Sequence, residues 1–317
     1  KFEQLFARFT NGKHAIAVVN GTSALHVSLV LAGVQRDTLV LTQSLTFVAT
    51  CNAIRYCGAK PAFIDVDVNT AGMCPIKLAQ FIDEECEIRN DGKCWHKSSG
   101  LVISACFPMH TFGFPLAIEK INSICIKYNI PVVEDAAEAV GSYYDSRHVG
   151  SSSEFAAFSF NGNKIMTCGG GGIVLSTNKQ TAARVKHLTT TAKIDHSWEF
   201  VHDDVGYNYR LPNLNAALGI AQLEMLPRFL ENKIKTAKAY FEWGAENNVS
   251  FLSASDGTNP NYWLNCMLVR DSSEKNHVLE LTNKHEVFSR PCWTPMHLLE
   301  VNRDAISTEL QNTEKLI

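Results

Sequence analysis

Short apolar runs alternate with amphipathic stretches from the start of the chain. Residues 15–20 (AIAVVN) read as a buried strand that stops at Gly21, and 25–31 read as a helix ending near Gly33. The cycle repeats: strand 38–42, helix 48–56; strand 61–66, helix 76–85; strand 101–106, helix 117–128; strand 131–135. The strands are apolar throughout and do not alternate, which predicts a largely parallel sheet covered on both faces by helices. In such sheets ligands sit outside the carboxyl ends of the strands.

After Asp145 the rhythm changes. Strands at 155–160 and 172–176 are joined by a loop carrying Lys164 and four glycines, Gly169 to Gly172. So short a connection predicts antiparallel pairing. A long helix is expected over 213–243, interrupted or kinked at Pro227, then a strand at 262–270 and a helix near 275–285. These boundaries divide the chain into a large domain, 1–226, and a smaller α+β domain, 227–317. The last residues offer no convincing final element, and 1–6 read as a helix with no lead-in, so both ends are expected to be incomplete.

Composition narrows the classes. Of 317 residues, 45% are hydrophobic and 19% charged, an ordinary globular balance, and the net charge of -3 gives no support for nucleic-acid binding. No apolar run approaches the roughly 18 residues of a membrane helix. The ten cysteines show no CxxC or Cys/His zinc spacing. Several lie inside apolar runs, as in Ser104-Ala105-Cys106-Phe107, which favours reduced thiols and a cytoplasmic location over a disulfide framework. Cys86 and Cys94 would be the first pair to suspect otherwise.

Three places carry candidate chemistry. Asp135 ends an apolar strand, where an acid is costly unless paired. It either caps the next segment or faces a protonated heterocyclic nitrogen. Lys164 follows twenty-nine residues later in FSFNGNK, among small and amide side chains that allow close backbone approach. A lone loop lysine is usually a surface charge, but one partly desolvated beside a cationic ring becomes an imine-forming nucleophile. The run NGTSAL at 20–25 offers a glycine turn, hydroxyls and a helix start to a phosphate, or simply an ordinary N-cap. Its spacing is neither GxGxxG nor a P-loop, which argues against a dinucleotide or nucleoside triphosphate. Phe47, after the second strand, is placed either to stack on a flat ring or to fill core.

With these pieces the chain resembles the DegT/DnrJ/EryC1/StrS family of sugar aminotransferases, at 20–25, 46–53, 132–141, 158–172 and 206–212. The resemblance implies a pyridoxal-phosphate (PLP) enzyme of the type I aminotransferase fold. Stretches 159–164, 188–193 and 290–297 resemble the branch that aminates C4 of UDP-4-keto-6-deoxy-N-acetylglucosamine for legionaminic acid or bacillosamine. By that likeness Lys164 is the Schiff-base lysine and proton carrier, and Asp135 the pyridinium partner. Phe47 stacks on the ring, while Gly21, Thr22, Ser23 and Ser159 hold the phosphate, joined by Asn208 from a second subunit of a homodimer. Arg210 and His297 are implied for the substrate, with glutamate as amino donor and 2-oxoglutarate as its product. Glu138 departs from the pattern, since many members carry Gln or His beside the cofactor's 3-oxygen; a protonated carboxyl and a different binding mode are both open. Gly169 to Gly172 replaces a common GEGG-like run. Members typically begin earlier and end later.

Rival readings are C3 amination, C3 dehydration, and a non-catalytic PLP-fold binding protein. Dehydrating members carry histidine in place of the lysine, and a binding module would be expected to lack Lys164 or Asp135.

Overall fold

The computed structural model describes all residues, Lys1–Ile317. Two four-stranded sheets meet edge to edge. The first runs His14–Val18, Gly172–Ser176, Phe155–Ser159, Val133–Asp135; the second runs Ile306–Ser307, Lys60–Ile64, Leu39–Gln43, Ile103–Phe107. Parallel bridges from Val132 to Cys106 and from Asp135 to Met109 join them into one sheet. Gly172–Ser176 alone is antiparallel to its neighbours, as the short glycine loop requires.

The continuous apolar strands follow from burial on both faces. Phe155 and Ala157 face a core with helices Gly21–Leu31, Val48–Tyr56 and Lys179–Thr189, while Ala156 and Phe158 face Phe2, Phe6, Leu223 and Leu226. A third cluster packs Leu39, Leu41, Ala62 and Ile103 under helices Pro75–Glu85 and Ile118–Lys127. Full burial of each large apolar side chain contributes roughly 1.5–3 kcal/mol.

The helix is not interrupted at Pro227. Asn213–Asn247 is one helix through Pro227, ending where Asn248 turns left-handed at φ 55° and its N–H bonds the Gly244 carbonyl. An internal proline costs about 3 kcal/mol, offset here because Leu223 and Leu226, in the turn before it, are fixed in the core. Residue 227 therefore lies inside a helix.

The expected strand at 262–270 shortens to Met267–Leu268, paired with Ser250–Phe251. The backbone ahead of it is diverted into a polar knot: Trp263 N–H bonds Asn261 Oδ1, whose amide bonds the carbonyls of Glu138 and Val140. The helix near 275–285 is present as Ser272–Lys284. Ile306–Ser307 returns to extend the main sheet, an element too short for any pattern to announce.

No helix is long and apolar enough to cross a membrane. All ten cysteines are unbonded; Cys86 and Cys94 lie on a hairpin, Cys86–Ile88 with Cys94–His96.

Candidate active site

The site forms at the carboxyl end of Val133–Asp135. Asp135 is 1% exposed. Thr50 donates to its Oδ2 at 2.7 Å and the Ala137 N–H to its Oδ1 at 3.1 Å. Burial pushes this carboxyl above its ordinary range, more than Thr50, Ala137 and the charge of Lys164 draw it down.

Lys164 reaches the same place from the loop after Phe155–Ser159. Its Nζ donates to Glu138 Oε1 at 3.1 Å, with the side chains only 12% and 1% exposed respectively. Glu138 Oε2 accepts from the Phe112 N–H at 2.9 Å. Phe112 holds a left-handed conformation, φ 57°, which aims that N–H at the carboxylate. Burial pushes the Glu138 carboxyl up to about 7 even though Lys164 favours its charge. Above the ammonium lies the Trp263 ring, 4.1 Å from Nζ to centroid. Trp263 is itself held by its indole N–H on the Asn163 carbonyl at 2.7 Å.

At the opposite end, Asn20 takes the N-cap of Gly21–Leu31, accepting from Ser23 N–H at 2.7 Å. Thr22 and Ser23 are thereby spared that duty, and their hydroxyls make no hydrogen bond within the chain. A Cβ on Gly21 would stand 2.7 Å from Ser159 Cβ, so only glycine lets the helix start and strand end approach this closely. Of the expected phosphate cradle, Gly21 and Ser159 are thus brought into contact, with Thr22 and Ser23 following Gly21 in the first turn of the helix.

Phe47 is 45% exposed and not core. Its ring lies 5.6 Å from Trp293, which lies 4.7 Å from Phe112, an aromatic wall leading to Glu138. His297 packs behind the loop after Leu39–Gln43. Its backbone N–H donates to Ser44 Oγ at 3.2 Å, and Ser44 Oγ meets Nδ1 at 2.7 Å. Burial pushes His297 below its ordinary value. Asn208 and Arg210 lie on a strand-like run that docks against Thr190 and Val18, with both side chains exposed and unbonded within the chain. They are not brought to Lys164 by intrachain contacts. Thr50, Phe112, Trp263 and Asn261 were not foreseen; their roles arise from distant contacts that no local pattern marks.

The fold and the buried lysine–carboxylate cluster define a PLP-dependent aminotransferase. The chain belongs to the DegT/DnrJ/EryC1/StrS aminotransferase family, whose profile matches residues 1–317. It is 33% identical over 297 residues to a putative PLP-dependent aminotransferase, EpsN, of Bacillus subtilis, covering 93% of this chain and 74% of that one. It is likewise 33% identical over 299 residues to GDP-perosamine synthase of Escherichia coli O157:H7, covering 94% and 77%. Among solved structures, Helicobacter pylori PseC, an aminotransferase involved in pseudoaminic acid biosynthesis, superposes with a TM-score of 0.88 at 21% identity, covering 99% and 82%. A family aminotransferase from Brucella abortus gives 0.87 at 24% identity, covering 99% and 81%. The protein is thus an aminotransferase of this sugar aminotransferase family, and its cofactor is pyridoxal phosphate.

The residues present fit that cofactor. Asp135 offers a buried acid to a protonated ring nitrogen, Lys164 belongs to the same cluster, and the Thr22 and Ser23 hydroxyls stand free beside a close approach that a single Cβ on Gly21 would block.

Proposed function

We propose that this chain aminates C4 of a UDP-linked 2-acetamido-2,6-dideoxy-4-ketohexose, with glutamate as donor, for amino sugars or nonulosonic acids of surface glycans. The observation that carries the reading is the convergence of Asp135, Lys164 and Glu138 beside the aromatic wall from Phe47 to Phe112. The choice of sugar rests on the stretches 159–164, 188–193 and 290–297, and amination of a sugar is in keeping with relatives described as a GDP-perosamine synthase and as an aminotransferase involved in pseudoaminic acid biosynthesis.

Bound pyridoxal phosphate supplies an electron sink for the charge left when a proton is taken from the substrate carbon. Asp135 would hold a proton on the ring nitrogen, its carboxylate oriented by Thr50 and Ala137. Lys164 Nζ would carry the covalent link and then move the proton at the substrate carbon. Phe47 would cover one face of the ring, and Gly21, Thr22, Ser23 and Ser159 would hold the phosphate. Arg210 and His297 Nε2 would meet the sugar nucleotide.

The Asn208 side chain makes no hydrogen bond within its own chain, and Trp198, Phe200, Val205 and Leu214 nearby in sequence are each more than three-quarters exposed. So much apolar surface on one segment fits an interface. A two-fold dimer in which the partner subunit's Asn208 completes each phosphate site accounts for both features. The unbonded thiols suit a cytoplasmic location, and 227–317 would serve as the small domain. The experiment is a panel of 4-keto and 3-keto sugar nucleotides, UDP- and GDP-linked, assayed with glutamate and read by product mass. Preferred amination of a 3-keto or GDP-linked sugar would overturn this substrate.

A further inference from the structure

Glu138 is the one carboxylate in hydrogen-bond contact with Lys164, yet nothing in the function so far uses its acidity. Its Oε1 is 3.1 Å from Nζ and its Oε2 is held by the Phe112 N–H, so the carboxylate is fixed with one oxygen aimed at the lysine. Trp263 closes the other side of the ammonium, and Nζ has no other hydrogen-bond partner in the chain. We propose that Glu138 is the proton acceptor that turns Lys164 from an ammonium into the amine its imine chemistry requires, and that it keeps the proton as a neutral carboxyl once Lys164 is consumed.

The step balances without any further reactant. The proton crosses from Nζ to Oε1, converting an ammonium and a carboxylate into an amine and a carboxylic acid. The amine then adds to the cofactor's carbonyl carbon, and water leaves as the carbon–nitrogen double bond forms. Transfer within the pair creates no net charge in a buried site, whereas losing the proton to solvent would strand a buried carboxylate without its cation. The other groups facing Glu138 favour the same outcome. Asp135 is a like charge, and the Cys266 and Cys292 thiols, both pushed up by burial, offer no positive charge in place of Lys164. The value of about 7 places the carboxyl where small changes in that balance switch its state.

The inference rests on the PLP reading of Lys164, and the test separates the two. Infrared difference spectra of the full chain at mildly alkaline pH, compared with Glu138→Gln, identify a protonated Glu138 by its carboxylic carbonyl band. Cofactor-free protein should lack the band; Lys164→Ala should show it at close to one carboxyl per chain, and it should vanish in Lys164→Ala/Glu138→Gln. Addition of pyridoxal phosphate to the unmodified chain should produce the same band as Lys164 is consumed. A purely structural Glu138 would affect stability but give no such band. If Lys164→Ala remains folded by circular dichroism and shows no Glu138 band, the proposal is overturned; Lys164→Met serves if the alanine variant does not fold. A band that does not change on loading also overturns it. Failure of the PLP reading has a separate signature, absence of a borohydride-fixed label on Lys164, and leaves the Lys164→Ala comparison decisive for Glu138.

Discussion

Glu134 and Asp135 are neighbours on one strand, both buried, and their surroundings treat them in opposite ways. Glu134 points away from the site and has three donors. It accepts from His110 Nε2 at 3.0 Å, Gly150 N–H at 2.8 Å and Ser153 N–H at 3.0 Å. His110 Nδ1 accepts from Leu116 N–H at 3.2 Å, so its proton lies on Nε2, facing the carboxylate. Burial is the largest influence on Glu134 and would push it up, yet these bonds together hold it below the usual carboxylate range. Asp135 and Glu138, on the other side, have fewer donors and are pushed up by burial. A buried acid with donors on both oxygens, enough to outweigh burial, ties structure together; one left short of donors is held for a ligand or a proton.

The hardest blow to the second group is the loss of Lys164. Lys164→Ala is expected to cut transamination by about 10³-fold or more, as loss of both covalent attachment and proton transfer demands. Borohydride reduction of the unmodified protein followed by peptide mapping should place the cofactor on Lys164, and a label on any other lysine would remove it from the role. Asp135→Asn should fold normally and lose roughly 10²–10³-fold. A normal single-turnover half-reaction with glutamate in that variant would contradict the pairing with the ring nitrogen.

Glu134 should fail in the other currency. Glu134→Ala leaves the buried His110 N–H and two backbone N–H groups without acceptors and should cost about 3–5 kcal/mol of stability. Activity per folded molecule should persist, so a folded but inactive variant would erase the distinction drawn between the two neighbours.

How much of this was legible follows the range of the interactions. Asp135 and Lys164 stood out because each conflicts with its local setting, an acid ending an apolar strand and a lysine among small residues before four glycines. The alternating elements were legible because apolar periodicity is local. Thr50 on Asp135, Trp263 over Lys164 and Phe112 on Glu138 were not, since each depends on segments far apart in the chain. That the helix runs uninterrupted through Pro227 was not legible for the same reason: the local penalty was visible, but the packing of Leu223 and Leu226 that offsets it was not.

Acid should separate the two groups again. His148 is buried, accepts the Gly141 N–H on Nε2 at 2.8 Å and has Val149 O 2.6 Å from Nδ1, so it is held neutral with its proton on Nδ1. Burial pushes it from 6.5 to about 4. The unfolded chain binds this proton first as pH falls, so stability present above 6.5 is lost between there and about 4. The contribution is on the order of 3 kcal/mol. Glu138 has the opposite sign: raised from 4.5 to about 7, it makes the cofactor-free protein less stable as pH rises through that window. Thermal melts of Glu138→Gln should show a shallower loss of Tm on the neutral side and an unchanged loss on the acid side.

The smallest expected effect concerns the one side chain that serves Asp135. Thr50→Val keeps the shape and removes the hydroxyl that donates to Oδ2, along with the partner of the Thr46 hydroxyl at 2.7 Å. A hydrogen bond to a charged group contributes about 1.5–3 kcal/mol, and here it favours the ionised carboxyl. Without it Asp135, already pushed up by burial, moves further up, and less of it carries the charge that the ring nitrogen requires. Because the needed form is the ionised one, the acid limb of the kcat profile should move to higher pH, and kcat at neutral pH should fall roughly 10-fold. Thr50→Ser retains the donor and should restore both. Stability should change little, since valine fills the same volume and the carboxyl can relieve its loss by taking a proton. A Thr50→Val enzyme with reduced kcat but an unmoved acid limb would mean that Thr50 only fills space beside Asp135, and that the shortage of donors around this acid is not what sets its charge.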